Sequence, residues 1–270
     1  MQGYGRDWHD CLGEASMLKN HYLVAFVALS VSFIFGSCSS IYMPNVPATP
    51  MFRHQGEGYL SGHVNLKGNA SGTVAVSLTD HVALLGNAST VNHGRESNTH
   101  FRQWLAEGAV GYFTEIGKSK RQILEIYGGY GLGNSRELDQ RASIRDYEVV
   151  GNRKMDFDKI FLQVNYSSTT KGRLNLFGGK RVLNYGTAIR VSRVGMTDFW
   201  LDDVQADKEE NLFIEPVFFT RMELLKGLQL QYTTGFNIGV VNNSYLKAGN
   251  SIFTLGVAYN FGRATGKKKK

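Results

Sequence analysis

The chain has 270 residues, is 42% hydrophobic and has a mean hydropathy of −0.23. That excludes a bundle of membrane-spanning helices, which needs repeated apolar runs of about 20 residues. The net charge is +7, but four of the positive charges are the terminal run from Lys267 to Lys270. The surplus is not clustered as a nucleic-acid footprint would be, so no nucleic acid is expected as a partner.

Near the N-terminus Lys19 precedes an apolar run from Tyr22 to Phe35, followed by Gly36, Ser37 and Cys38. A basic head, a short apolar core and small residues are the three regions of an export signal. The run is too short for a comfortable membrane span. Residues 1–16 carry Asp7, Asp10 and Glu14, which such a head avoids. Translation therefore starts at Met17, or the head is extended. Phe35, Gly36, Ser37 and Cys38 resemble a bacterial lipobox. The resemblance implies cleavage before Cys38 and acylation of its new N-terminus, with residues 1–37 removed. A plain signal cut nearby and an uncleaved helical anchor are the competing readings. The two cysteines are Cys11 and Cys38, so a mature chain starting at Cys38 has no internal disulfide.

Residues 38–58 contain Pro44, Pro47 and Pro50, which disfavour helix and inner strand. They read as a Pro-rich tether. From residue 59 to 261 the hydropathy alternates with period two, the signature of strands. The end of the chain is clearest: Phe253, Leu255, Val257, Tyr259 and Phe261 alternate with Thr254, Gly256, Ala258 and Asn260. Before it, Leu228, Leu230, Tyr232, Phe236, Ile238 and Val240 form one face of a single long strand. Eight further segments follow the pattern, giving ten strands. Eight is the alternative count if the first hairpin pairs elsewhere. Short turns are expected at 79–81, 117–120, 167–172 and 225–227. Longer polar connections are expected at 93–103, 133–156, 196–210 and 242–250. Residues 262–270 form a basic tail.

An alternating sheet with one apolar face suits a soluble sandwich or a membrane barrel. Here the other face holds Gly, Ala, Ser, Asn and Gln more than Lys and Glu. Tyr112, Tyr130, Tyr166, Tyr232, Tyr259 and Phe261 lie near the expected strand ends, as an interfacial girdle requires. Long connections gathered at one end fit a barrel too. The fold class read from this is all-β, a closed antiparallel up-and-down barrel of about ten strands preceded by a signal helix. Val257, Ala258, Tyr259, Asn260 and Phe261 resemble the C-terminal assembly signal of outer-membrane barrels, although nine residues follow. From Cys38 to Phe261 the chain resembles an outer-membrane β-barrel lipoprotein of a Gram-negative bacterium. The resemblance implies location in that membrane, contact with its lipid, and a structural or interaction role.

Seven charged residues fall on the small-residue face: Glu107, Glu125, Lys159, Arg190, Glu215, Arg221 and Glu223. In a barrel they point inward, and buried charges persist only when paired. An internal ion-pair network that fills the barrel is expected. Interior side chains then leave no wide pore. Envelope proteins are the expected partners, through loops 133–156 and 196–210. No metal and no cofactor is expected, since the histidines lack an acidic partner at ligand spacing, and Asp202, Asp203 and Asp207 match no calcium loop. No catalytic motif is present. Gly128 to Gly133 is glycine-rich but sits inside a strand, where it opens no helix to cradle phosphate. The alternatives are a barrel hydrolase or acyltransferase acting on envelope lipid or peptide, and a soluble lipid-anchored sandwich that binds a ligand.

Overall fold

The structure is a computed structural model and describes residues 40–65, 68–95, 99–142, 147–176, 179–248 and 251–262. Cys38, the signal segment and the basic tail lie outside the described residues. The strands are β1 (Gly58–Val64), β2 (Asn69–Ser77), β3 (Val82–Arg95), β4 (Thr99–Ile116), β5 (Gln122–Ala142), β6 (Tyr147–Leu176), β7 (Gly179–Leu201), β8 (Val204–Gln205), β9 (Glu210–Leu225), β10 (Leu228–Gly235), β11 (Ile238–Gly239) and β12 (Ile252–Phe261). Ten of them close a ring, because β12 pairs with β1 and β9 pairs with both β7 and β10. All of these pairings are antiparallel. The two-residue strands β8 and β11 add to the rim at one end.

The alternation resolves with its apolar face outward. Leu60, Val110, Ile160, Leu162, Phe218 and Leu255 are each more than half exposed. Their neighbours in sequence point into the barrel and are buried, or half-buried beside Val110. A soluble monomer rarely exposes a contiguous apolar patch above a few hundred Å². Here the patch circles the molecule. Trp104 to Tyr112 on β4, Leu124 to Leu132 on β5 and Phe253 to Phe261 on β12 each cover eight residue steps. That is about 27 Å along the strand, or roughly 20 Å of height at a tilt of about 40°, close to the apolar band of an outer-membrane barrel. Of the expected girdle rings, Tyr112 and Tyr259 lie toward the band edge. Tyr130 pairs with Gly108 and Ile160 and so sits near mid-height.

Beyond the band the outward residues turn polar while pairing continues. β3 and β4 stay in register to Arg95 and Thr99, and β5 and β6 to Ala142 and Tyr147. The connections expected at 93–103 and 133–156 are therefore mostly paired strand. The turn expected at 167–172 lies inside β6. The strand expected to run to Val240 stops at Gly235, and Phe236 N donates to Pro216 O at 3.2 Å. The β7–β8 turn uses Asp202 and Asp203 at positive φ (50° and 63°), as a tight two-residue hairpin requires.

The larger correction concerns the tether. Every residue from Ser40 to Phe52 is buried, because this strap runs through the lumen. It begins at the hairpin mouth, where Ser40 Oγ donates to Lys247 O at 2.5 Å. It leaves at the turn mouth, where Arg53 pairs with Glu115. Proline suits this path: it favours an extended chain and removes an N–H that would otherwise need a partner inside.

The glycine-rich stretch on β5 has a packing reason. Gly129, Gly131 and Gly133 face the lumen, and their cross-strand partners are Phe161, Lys159 and Phe157. A Cβ at Gly129 would lie 2.4 Å from the Phe161 ring and 2.6 Å from Gly108 O. At Gly128, which faces outward, it would meet nothing within 4 Å. Gly129→Leu is expected to abolish the closed barrel and Gly128→Ala to leave it intact. Electrophoretic mobility with and without boiling distinguishes the two, since only a closed barrel shifts on heating.

Candidate functional site in the barrel lumen

The inner wall recognises the strap as an extended peptide. Gln103 binds Met43 twice: Nε2 donates to Met43 O at 2.6 Å, and Oε1 accepts from Met43 N at 2.8 Å. Asn87 Nδ2 donates to Val46 O at 3.1 Å. Gln163 Nε2 and Asn165 Nδ2 both donate to Ala48 O, at 2.7 and 2.9 Å. Arg221 Nη2 donates to Thr49 O at 2.5 Å, and Asn260 Nδ2 to Pro50 O at 3.0 Å. Met51 N donates to Glu125 Oε1 at 3.1 Å. The donors and acceptors come from β3, β4, β5, β6, β9 and β12, so the strap ties opposite walls together. Left unpaired, each buried group would cost about 1–3 kcal/mol.

Four of the predicted charged residues form one cluster at mid-height. Lys159 Nζ lies 3.0 Å from Glu107 Oε1 and 3.3 Å from Glu215 Oε2. Arg190 Nη1 lies 3.2 Å from Glu107 Oε2 and 4.0 Å from Glu215 Oε2. All four side chains are fully buried. Two acids and two bases cancel, which is the condition for keeping charge out of water. Tyr42 OH of the strap donates to Glu215 Oε1 at 3.2 Å, and Gln163 Oε1 accepts from Arg190 Nε and Nη2 at 2.9 and 2.7 Å. The Arg190 guanidinium lies 4.5 Å from the Phe161 ring centre, within cation–π range.

Glu125 and Arg221 stand apart from this cluster. Glu125 accepts from Tyr127 OH at 3.2 Å and Asn165 Nδ2 at 3.1 Å, besides Met51 N. Arg221 Nε donates to Gln231 Oε1 at 2.6 Å, and its Nη2 to Tyr59 OH at 3.0 Å. Its guanidinium lies 5.0 Å from the rings of both Tyr59 and Phe219. Among the described residues no carboxylate stands within ion-pair distance of it. Glu223 departs from the expectation of one interior network. It points to the same side as Arg221 but lies at the turn mouth, only half-buried, accepting from Gly227 N at 3.3 Å. Alternation gives the face of a residue but not its depth along the barrel.

Apolar layers lie above and below the charges. At the hairpin end Ile41, Tyr42 and Met43 pack with Phe101, Leu105, Phe157, Phe199 and Phe213. At the turn end Ala48 and Phe52 pack with Tyr59, Phe113 and Tyr127. The connection between β11 and β12 folds over the hairpin mouth. Glu209 accepts from the backbone N–H groups of Ser244, Tyr245 and Leu246 at 2.8, 2.9 and 2.7 Å, and Leu246 is fully buried. The histidines do not converge: His63 lies in the wall, His81 stacks on Tyr112, and His100 accepts from Arg102. Among the described residues no three His, Cys, Asp or Glu stand together as metal ligands.

No protein-family model and no curated protein matches the chain. Among solved structures it is similar to the translocator domain of the autotransporter NalP from Neisseria meningitidis. The identity is 10%, covering 76% of this chain and 86% of that one, with a TM-score of 0.45. It is also similar to the ferripyoverdine receptor of the outer membrane of Pseudomonas aeruginosa. There the identity is 10%, covering 78% of this chain and 41% of that one, with a TM-score of 0.25.

Removing one base from the cluster leaves two carboxylates sharing one arginine. Lys159→Met is expected to destabilise the barrel by about 3–5 kcal/mol, read as a lower urea midpoint for loss of the heat-modifiable band. Adding Glu215→Gln removes the excess charge and recovers part of the loss, a non-additivity expected of direct neighbours. Glu223→Gln, outside the cluster, leaves the midpoint unchanged.

Proposed function

We propose that the chain is a bacterial outer-membrane barrel that does not conduct, and that its role is structural or interactive. The observation that carries this reading is the combination of an outward apolar belt with a lumen filled by the protein's own strap. An apolar belt around the whole barrel is stable only against hydrocarbon. Residues 40–52, every one of them buried, occupy the lumen, and that filling is what opposes a water path. What remains for function is the surface that stands clear of the membrane: the β5–β6 hairpin around 133–156 and the β7–β9 connection within 196–210. Envelope proteins are the partners proposed for them. Among the described residues nothing in the lumen specifically favours the hydrolase and acyltransferase readings.

Acylation of Cys38 is part of the proposal. Cys38 precedes Ser40 by two residues, so its acyl chains would join the leaflet at the hairpin mouth. The barrel itself holds the protein in the membrane, and the acyl group acts as a second attachment.

Two measurements test this. Cys38→Ser is expected to remain in the membrane after an alkaline wash and to keep its heat-modifiable mobility. Release as a soluble protein would show that the anchor alone held it. In planar bilayers the intact protein is expected to give no conductance steps, whereas deletion of residues 41–51 opens the lumen and produces them. Steady conductance by the intact chain would sink the plugged reading.

A further inference from the structure

Outward-facing Arg102 on β4 and Arg136 on β5 are direct cross-strand partners just beyond the apolar band. Like charges placed opposite each other on a sheet repel, and among the described residues neither has a carboxylate within ion-pair distance. The neighbouring acids are already committed. Glu137 and Asp139 pair with Arg153. Asp203 pairs with Lys154 at 2.5 Å, and that bond, with the charge of Arg136 as a lesser cause, holds its carboxyl below the usual range. Each arginine is instead steadied through its Nε by a side chain: Arg102 Nε donates to His100 Nε2 at 3.1 Å, and Arg136 Nε to Asn152 Oδ1 at 3.3 Å. Both arginines line a shared recess of about 310 Å³, together with His100, Leu138 and Gln140.

We infer that this recess binds the phosphomonoester head group of an anionic membrane lipid in the leaflet at the hairpin end. Paired guanidinium forks match the geometry of a phosphate, and a bound dianion removes the repulsion between them. The position selects a lipid over a free ion. Trp104 lies two residues from Arg102 toward mid-membrane and Leu132 four from Arg136, and both are about half exposed. With Ile160 and Leu162 beyond them, they give the acyl chains of the same molecule an apolar track below its head group.

The inference rests on the membrane-spanning reading, and its test separates the two. The full chain is placed in nanodiscs of phosphatidylcholine, whose zwitterionic phosphodiester is the common background, containing phosphatidic acid or, as the control without a phosphomonoester, diacylglycerol. Lipid retained after release into detergent is measured by native mass spectrometry. Phosphatidic acid is expected to be retained over diacylglycerol. R102Q/R136Q is expected to weaken that retention by roughly tenfold or more, as loss of charge-assisted hydrogen bonds implies. Arg193→Gln, an outward arginine already paired with Glu210, leaves it unchanged. Equal retention by wild type and R102Q/R136Q, or of both lipids, overturns the site. Displacement by millimolar inorganic phosphate assigns the recess to a free ion and overturns the lipid assignment. Every variant is checked for heat-modifiable mobility. A barrel that stays heat-modifiable but retains lipid without preference refutes the site and leaves the membrane reading standing.

Discussion

The structure depends on one geometric constraint. A barrel of eight strands has an interior that side chains alone can fill. Ten strands enclose more space, and an interior lined by short polar residues cannot close over it. The chain fills the difference with its own segment, Ser40 to Arg53. Once a backbone occupies the lumen, each of its N–H and C=O groups needs a partner. The wall residues follow from that demand: Gln103 for Met43, Gln163 and Asn165 for Ala48, Arg221 for Thr49, Asn260 for Pro50. The prolines reduce the demand, since three strap positions bring no N–H.

The charged cluster depends on the same constraint. Arg190 and Glu215 are direct cross-strand partners on β7 and β9, and Lys159 stands on the adjoining β6; Glu107 on β4, with β5 between it and β6, reaches them across the curved interior. A neutral set of four is tolerable where an isolated pair would be marginal, because each carboxylate is held by two cations and each cation by two carboxylates. Tyr42 adds a strap hydroxyl to Glu215. Strap and cluster therefore stabilise one another, and loss of either leaves polar groups exposed to an apolar layer on both sides.

Much of this was legible in the sequence, and the limits have physical causes. Period-two alternation gave the strands, and the small polar face gave the lumen, because a confined interior and open water select different residues. Six of the buried charges were found by the same rule, though not Glu57 or Glu137. The strap was not, because an extended Pro-containing segment has no periodicity, and its partners are single Asn, Gln and Arg residues far apart in the chain. Hydropathy assigns the hairpins at 93–103 and 133–156 to loops because it reports the solvent. Where a strand leaves hydrocarbon, its outward residues turn polar while its hydrogen bonds continue.

The Gly–aromatic pairs on the inner wall show what lies between these cases. Gly129 and Gly133 belong to a glycine-rich stretch whose place inside a strand argues against a phosphate cradle. In register they stand opposite Phe161 and Phe157, and each absent Cβ is the space in which a ring lies flat. Phe161 then supports the Arg190 guanidinium from one side. A glycine on β5 thus positions a cation on β7 through a ring on β6. Composition records the glycines, alternation assigns their face, and only the register between strands turns them into part of the charged cluster's support.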